Sequence, residues 1–328
     1  VVEDVVRDDA GKVIAYDIKE VDSGRTASNA NSRRVRRYEE NAFEFWERER
    51  RPIGEFRGHG GSVSCMCFTK DRKGLITGSW DKTIILWTIS NQEKVRTFRG
   101  HTAFVYSVDT YGDLLVSGGA DQILILWSIS KGDRLRDFRG HTNWVRCVRF
   151  SSFDGKTVFS GSDDKTAIRW KVSDGAQIMK YEGGHASIIR SLAVMHDDSK
   201  LITGSDDHTC IIWNVLSGAR LNIFRGHTSY VSSVALSPCE RYFASGSRDK
   251  TTRIWDIAKG ELVHILKDYD DEVKDVMFSG RHTLLAAFRD RTIIEYDISP
   301  LFLDISARFA LLHCLRTIRN QTAAALPS

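Results

Sequence analysis

Residues 140–170 read GHTNWVRCVRFSSFDGKTVFSGSDDKTAIRW, and the spacing of four side chains inside this stretch decides the fold. Gly140-His141 opens it and Ser160 lies in its middle. Asp164 stands four residues after the serine, and Trp170 six after the aspartate. The runs between these markers are short, rich in β-branched and aromatic residues, and interrupted by turn formers such as Asp154-Gly155, so they read as strands.

The constellation repeats along the chain. Gly-His recurs with its histidine at His59, His101, His141, His185 and His227, in steps of 42, 40, 44 and 42 residues. Aspartates follow at Asp81, Asp121, Asp164, Asp207, Asp249 and Asp290. Six residues beyond each stands an aromatic: Trp87, Trp127, Trp170, Trp213, Trp255 and Tyr296. A hydroxyl precedes five of the aspartates by four residues, at Thr77, Ser117, Ser160, Thr203 and Ser245; the sixth copy has Ala286 there, and Tyr269 where histidine is expected. In the first full unit, runs at 63–68, 75–78, 83–89 and 95–98 predict four strands. A four-stranded period of about 40–45 residues, with Gly-His near one end and Trp near the other, signals stacked repeats.

These residues resemble the WD-repeat (WD40) family over nearly the whole chain. The resemblance implies an all-β, seven-bladed propeller: one cryptic N-terminal blade, five full repeats and one degenerate C-terminal blade that should be the least rigid. The cryptic blade rests on the match of residues 2–7 to 145–150, of 11–14 to 155–158, and of Phe43-Glu44-Phe45-Trp46 to a third strand, Trp46 lying 41 residues before Trp87. The propeller is expected over 1–303, with a basic insertion at 19–41 in its first blade. Leu301-Phe302-Leu303 is a candidate outer strand for closing the ring. From Asp304 the apolar residues Ile305, Phe309, Leu312, Leu315 and Ile318 recur at helical spacing, so a helical tail is expected over 304–328, lying on the propeller or leading to a further domain.

The family also implies that the histidine, hydroxyl, aspartate and tryptophan of each blade share one buried hydrogen-bond chain, a structural role for all twenty of these residues. Ser, His and Asp together can suggest hydrolase chemistry. A catalytic triad occurs once, beside an exposed nucleophile and an oxyanion site; five copies in register are architecture. No metal-ligand spacing, cofactor loop or isolated nucleophile is present, so the reading is of a protein without catalytic residues, metal or cofactor.

In the same family the face bearing the blade tops draws on three positions per blade: three and five residues after the histidine and one before the aspartate. Here these hold Ser62, Ser64 and Trp80; Phe104, Tyr106 and Ala120; Trp144, Arg146 and Asp163; Ile188, Arg190 and Asp206; Tyr230, Ser232 and Arg248; and, in the degenerate blade, Glu272, Lys274 and Arg289. Trp, Tyr and Arg dominate binding hot spots, which nominates Trp80, Phe104, Tyr106, Trp144, Arg146, Arg190, Tyr230, Arg248, Lys274 and Arg289 as partner-binding residues. Cations outnumber carboxylates in the set, which favours an acidic or phosphorylated segment. Arg146, in Trp144-Val145-Arg146-Cys147-Val148, and Arg248, in Ser247-Arg248-Asp249, are similar to the arginines with which F-box/WD-repeat substrate receptors hold phosphorylated segments. No F-box is present in these residues. The expected function is a protein-interaction platform, an adaptor or substrate receptor; the alternatives are a general assembly scaffold and, further off, nucleic-acid binding through Arg33-Arg34-Val35-Arg36-Arg37, beside Ser28 and Ser32.

Composition narrows the rest. The chain has 328 residues, 27% charged and 41% hydrophobic, with a net charge of +4. That charge is too small to mark a nucleic-acid protein unless it is gathered on one face. Six cysteines without a C-x-x-C pair, mostly in apolar runs, read as reduced structural thiols in a cytoplasmic or nuclear setting. No apolar run reaches transmembrane length and no signal peptide is visible, so neither a membrane span nor a small-molecule substrate is expected. Asn320-Gln321-Thr322 fits a glycosylation sequon that such a setting would leave unused. The chain opens at Val1 in strand-like sequence, as a piece of a longer protein would.

Overall fold

A computed structural model describes residues 54–299 and the backbone of two N-terminal strands. All 25 described elements are β-strands. The chain divides into two units, Val1–Glu55 and Phe56–Ser328. In the first unit, β1 (Val2–Arg7) pairs antiparallel with β2 (Val13–Ile18).

The second unit contains six antiparallel sheets formed in chain order. The first has β3 (Val63–Phe68), β4 (Gly74–Ser79), β5 (Thr83–Thr88) and β6 (Lys94–Arg99). The second has β7 (Val105–Tyr111), β8 (Leu114–Gly119), β9 (Leu124–Ser128) and β10 (Arg134–Phe138). The third has β11 (Val145–Phe150), β12 (Thr157–Ser162), β13 (Ala167–Lys171) and β14 (Gln177–Tyr181). The fourth has β15 (Ile189–Val194), β16 (Lys200–Ser205), β17 (Cys210–Asn214) and β18 (Arg220–Phe224). The fifth has β19 (Val231–Leu236), β20 (Tyr242–Ser247), β21 (Thr252–Asp256) and β22 (Glu261–Leu266). The sixth has three described strands, β23 (Val273–Phe278), β24 (Thr283–Phe288) and β25 (Ile293–Asp297). The all-β architecture is that of a β-propeller. The insertion at 19–41, Trp46, Leu301-Phe302-Leu303 and the tail at 304–328 lie outside the described residues.

Each sheet is a meander whose second turn is set by the recurrent aspartate. The residue after it takes a left-handed conformation: Lys82, Gln122, Lys165, His208, Lys250 and Arg291 have φ between 69 and 78°. Such a conformation is disfavoured for residues with a Cβ. It is held here because the aspartate side chain accepts from the backbone N–H two residues on, as Asp164 does from Thr166 at 2.9 Å. This is an Asx-type turn, in which a short polar side chain replaces a backbone acceptor.

The first strands of successive sheets lie side by side in the same sense. Phe150 N–H donates to Asp109 at 2.7 Å, Val148 N–H to Ser107 at 3.1 Å and Val234 N–H to Ser191 at 3.1 Å. The core fills the spaces between sheets. Val145 and Val148 of β11, both at 0% exposure, pack against the preceding sheet. Close approach is possible because a glycine faces them: a Cβ on Gly118 would lie 2.6 Å from Val145. Gly161, Gly204 and Gly246 meet Ile189, Val231 and Val273 in the same way. On β3 the matching residues Val63, Met66 and Phe68 are exposed, at 55, 71 and 58%.

One irregularity recurs. In every first-to-second strand pair the register shifts between the first and third residues, at Val63/Cys65, Val105/Ser107, Val145/Cys147, Ile189/Ser191, Val231/Ser233 and Val273/Asp275. The hairpin β1–β2 shifts at the same place, Val2/Asp4. A bulge leaves one residue out of the ladder and re-aims its side chain.

Candidate protein-interaction face

The polar quartets are not among the residues that line the cavity described below. In the five full repeats the histidine Nδ1 lies 2.7–2.8 Å from the aspartate, in the pairs His59–Asp81, His101–Asp121, His141–Asp164, His185–Asp207 and His227–Asp249. Nε2 lies 2.7–2.8 Å from the hydroxyls of Thr77, Ser117, Ser160, Thr203 and Ser245. The indole N–H of Trp87, Trp127, Trp170, Trp213 and Trp255 donates to the same hydroxyl at 2.8–2.9 Å. Since the carboxylate accepts from Nδ1–H, Nε2 is left as an acceptor for the hydroxyl proton. Burial would raise the carboxyl pKa values. It is outweighed by bonds from histidine, threonine and backbone amides, which hold Asp81, Asp164, Asp207 and Asp249 far below the usual carboxylate range. Part of that set was not read from the sequence: Thr83, Thr166, Thr209 and Thr251 each donate their hydroxyl to the aspartate at 2.6 Å. The signal was present, a threonine two residues after five of the six aspartates. In the sixth sheet Tyr269, in the histidine's place, donates its hydroxyl proton to Asp290 and its oxygen accepts from the Thr292 hydroxyl at 2.9 Å.

The bulged residues meet at one mouth. Ser64, Tyr106, Arg146, Arg190, Ser232 and Lys274 are the six residues skipped by the register shifts, and all six line a cavity of about 300 Å³, together with Tyr230, Arg248 and Val273. The wall therefore carries four cations and four hydroxyls. No carboxylate is among its lining residues.

The aromatics form a continuous belt beside it. Trp80 stacks on Phe104 with ring centroids 5.1 Å apart, Phe104 meets Tyr106 edge-on at 6.5 Å, and Tyr106 lies 5.8 Å from Trp144. Trp80 is 47% exposed and Trp144 39%. Arg146 lies over Tyr106 and Trp144, at 4.4 and 4.8 Å. Tyr230 lies 5.8 Å from both Arg190 and Arg248, and His208 packs against its ring.

The cations are paired with the three carboxylates that they outnumber. Asp163 holds Arg146 by two bonds, Nε–Oδ1 at 2.6 Å and Nη2–Oδ2 at 2.8 Å. Asp206 holds Arg190 likewise through Nε and Nη2. Both forks leave Nη1 without a hydrogen bond among the described residues. Glu272 is shared by three cations, accepting from Arg248 Nε at 2.6 Å, Lys274 Nζ at 2.9 Å and Arg289 Nη1 at 3.2 Å. Those bonds, Arg248 first, hold its carboxyl down to about 2. Sequence position could not show that an acid of the same sheet stands behind Arg146 and Arg190, and one of the next sheet behind Arg248.

The pattern described as "WD domain, G-beta repeat" matches residues 50–88, 92–128, 132–171, 175–214 and 218–256, more than half of the chain. The chain is a WD-repeat protein. Its curated relatives match over short stretches. A "U3 snoRNP-associated protein-like EMB2271" from Arabidopsis thaliana is 32% identical over 68 residues, 20% of this chain and 14% of the relative. "F-box/WD repeat-containing protein 10" of Mus musculus is 37% identical over 57 residues, 17% of this chain and 6% of the relative. A "Guanine nucleotide-binding protein subunit beta" from Dictyostelium discoideum is 39% identical over 59 residues, 18% of this chain and 17% of the relative. The matched stretches thus span well under a fifth of each relative's length. WD-repeat proteins generally act as protein-interaction scaffolds and are generally not enzymes. Among the described residues of this WD-repeat chain no helix is long and apolar enough to cross a membrane, and no group of three His, Cys, Asp or Glu side chains could hold a metal ion. Burial pushes the thiols of Cys65, Cys147 and Cys210 up to about 11, 12 and 12, away from reactive thiolates.

Proposed function

We propose that this WD-repeat domain is a non-enzymatic adaptor or substrate receptor that captures a short acidic or phosphorylated segment of a partner across the mouth of its central cavity. One observation carries the reading: six bulged residues from six sheets converge on a cavity whose wall has four cations and no carboxylate. Arginines already fixed by Asp163 and Asp206 have lost their side-chain freedom, so their Nη1 donors meet a ligand at small entropic cost. The exposed Trp80–Phe104 stack adds rigid apolar surface next to the charged mouth. The ligand class thus follows from charge complementarity with apolar anchoring, the combination that gives both specificity and affinity. The basic run Arg33–Arg37, on which a nucleic-acid reading would rest, lies outside the described residues.

The test is a peptide array in paired phosphorylated and unphosphorylated forms, probed with the chain and with a Tyr106→Ala/Tyr230→Ala variant. Selective capture of acidic or phosphorylated spots that the variant loses is the expected result. Capture that is unchanged in the variant would show that the partner sits elsewhere.

A further inference from the structure

We infer that Glu272 is a built-in competitor for the ligand's anionic group, and that the group it is displaced by is a phosphate monoester rather than a carboxylate. The inference rests on the face being the binding site. Arg146 and Arg190 each have one carboxylate, bound at two points, in their own sheet. The junction of the fifth and sixth sheets is different: Arg248, Lys274 and Arg289 divide the two oxygens of Glu272 among them. Five cations against Asp163, Asp206 and Glu272 leave a surplus of two, and that surplus lies wholly at this junction. The neighbouring acids Asp270, paired with Lys250 at 2.8 Å, and Asp271, accepting from the backbone N–H of Asp290 at 2.7 Å, keep their charges but are not among the residues lining the cavity.

A phosphorylated residue carries about −1.5 to −2 near pH 7 and offers three acceptor oxygens. It matches both the surplus charge and the number of cations, whereas one carboxylate would only repeat what Glu272 supplies. Glu272 has two roles that oppose each other in binding. It draws three mutually repelling cations together, and it occupies the donors that a phosphate needs. Lys274 and Arg248 line the cavity while Glu272 does not, so the carboxylate stands behind them and can keep part of its contact as the ligand's oxygens take the front.

Fluorescence anisotropy of the full chain with three labelled degenerate nonapeptide libraries, having phosphothreonine, aspartate or threonine at the centre, tests this. The phosphothreonine library is expected to bind at least about fivefold more tightly than the aspartate library, the difference of one extra partly solvated charge contact. Glu272→Gln, which keeps shape and removes the charge, should tighten phosphothreonine binding by roughly three- to fivefold. Arg248→Gln and Lys274→Gln should each weaken it by at least that factor. If Glu272→Gln folds normally by thermal melting yet binds more weakly or the same, the competitor role is wrong; should that variant melt early, Glu272→Ala replaces it in the same comparison. Equal affinity for the phosphothreonine and aspartate libraries would overturn the choice of phosphate. Those two failures leave the face reading intact provided Arg248→Gln still loses binding. No binding to any library, or binding indifferent to both cation variants, would remove the face reading along with the inference.

Discussion

Replacing Ser160 by alanine removes one oxygen from the middle of a buried chain and strands two partners at once. Ser160 is at 0% exposure, and its Oγ accepts from Trp170 Nε1 at 2.8 Å while its proton goes to His141 Nε2 at 2.7 Å. Trp170 is at 0% exposure, and the His141 side chain is equally buried, so water cannot take over either bond. A buried donor or acceptor left without a partner costs about 1–3 kcal/mol, which puts Ser160→Ala at about 2–5 kcal/mol of unfolding free energy. Ser160→Thr should stay within about 1 kcal/mol of the parent, since it keeps the hydroxyl and the cost falls to that of one added methyl; the first and fourth sheets already carry Thr77 and Thr203 at this position. The residues act as one network, so Ser160→Ala and Trp170→Phe should be non-additive by about 1 kcal/mol or more. Urea unfolding at pH 7.5, followed by tryptophan fluorescence and far-UV circular dichroism, gives all three quantities. A Ser160→Ala loss below about 0.5 kcal/mol, or a Ser160→Thr loss as large as that of alanine, would refute the claim that this hydroxyl is the hub of the blade.

Acid should weaken the fold in two stages. Burial holds His227 below its ordinary value, so the fold keeps it neutral while the unfolded chain takes a proton near pH 6.5, and stability starts to fall there. Asp164, Asp207 and Asp249 are depressed, so their contribution is complete above an unfolded value of about 4 and is lost as the pH falls from there towards the lower folded values; a urea midpoint that rises from pH 7 to 5 would contradict the histidine sign, and one that rises on going further below about pH 4 the aspartate sign. Gly161→Ala would push a Cβ to 2.6 Å from Ile189 and 2.7 Å from Cys147, and should cost about 1–3 kcal/mol by overpacking, read as a lowered thermal midpoint; an unchanged midpoint would mean the sheets are not in contact there. Arg146→Ala leaves Asp163, whose side chain is 8% exposed, without its counter-charge, and should lower stability by about 1–3 kcal/mol as well as binding. Adding Asp163→Ala should restore stability and not binding, and calorimetry beside anisotropy separates the two.

The architecture was legible because its determinants are local and repeated. A histidine, a hydroxyl, an aspartate and an aromatic at fixed offsets specify a turn, a buried chain and a strand register, and each can be checked against five copies. The first full repeat's four strands, expected at 63–68, 75–78, 83–89 and 95–98, are Val63–Phe68, Gly74–Ser79, Thr83–Thr88 and Lys94–Arg99. The face was legible in its membership and opaque in its electrostatics. The family slots named Arg146 and Asp163 separately, and nothing in a linear sequence states that the two side chains, 17 residues apart, form a two-point pair. In the sequence Glu272 is one acid among several. Its grip on three cations depends on β23 placing it between Arg248 of the fifth sheet and Lys274 of its own. A count by residue type gives the total but not which charges are paired, because that depends on contacts across one or two strands.

The register shifts explain how one chain can hold a fixed fold and an adaptable surface on the same strands. Along β11, Val145 and Val148 are fully buried and set the spacing to the second sheet, so neither can change without a cavity or a clash. Arg146 lies between them in sequence. Strict alternation would give it a partner across the ladder, but the bulge takes it out, since Val145 pairs with Ser162 and Cys147 with Gly161. Freed from pairing, the side chain at that position can be serine, tyrosine, arginine or lysine, as the six sheets show. The same backbone device repeated six times thus produces a ring of independently variable side chains around one opening. On the proposed reading recognition falls to residues that the strand ladder leaves unpaired, and the buried quartets of histidine, hydroxyl, aspartate and tryptophan keep the sheets that carry them in register.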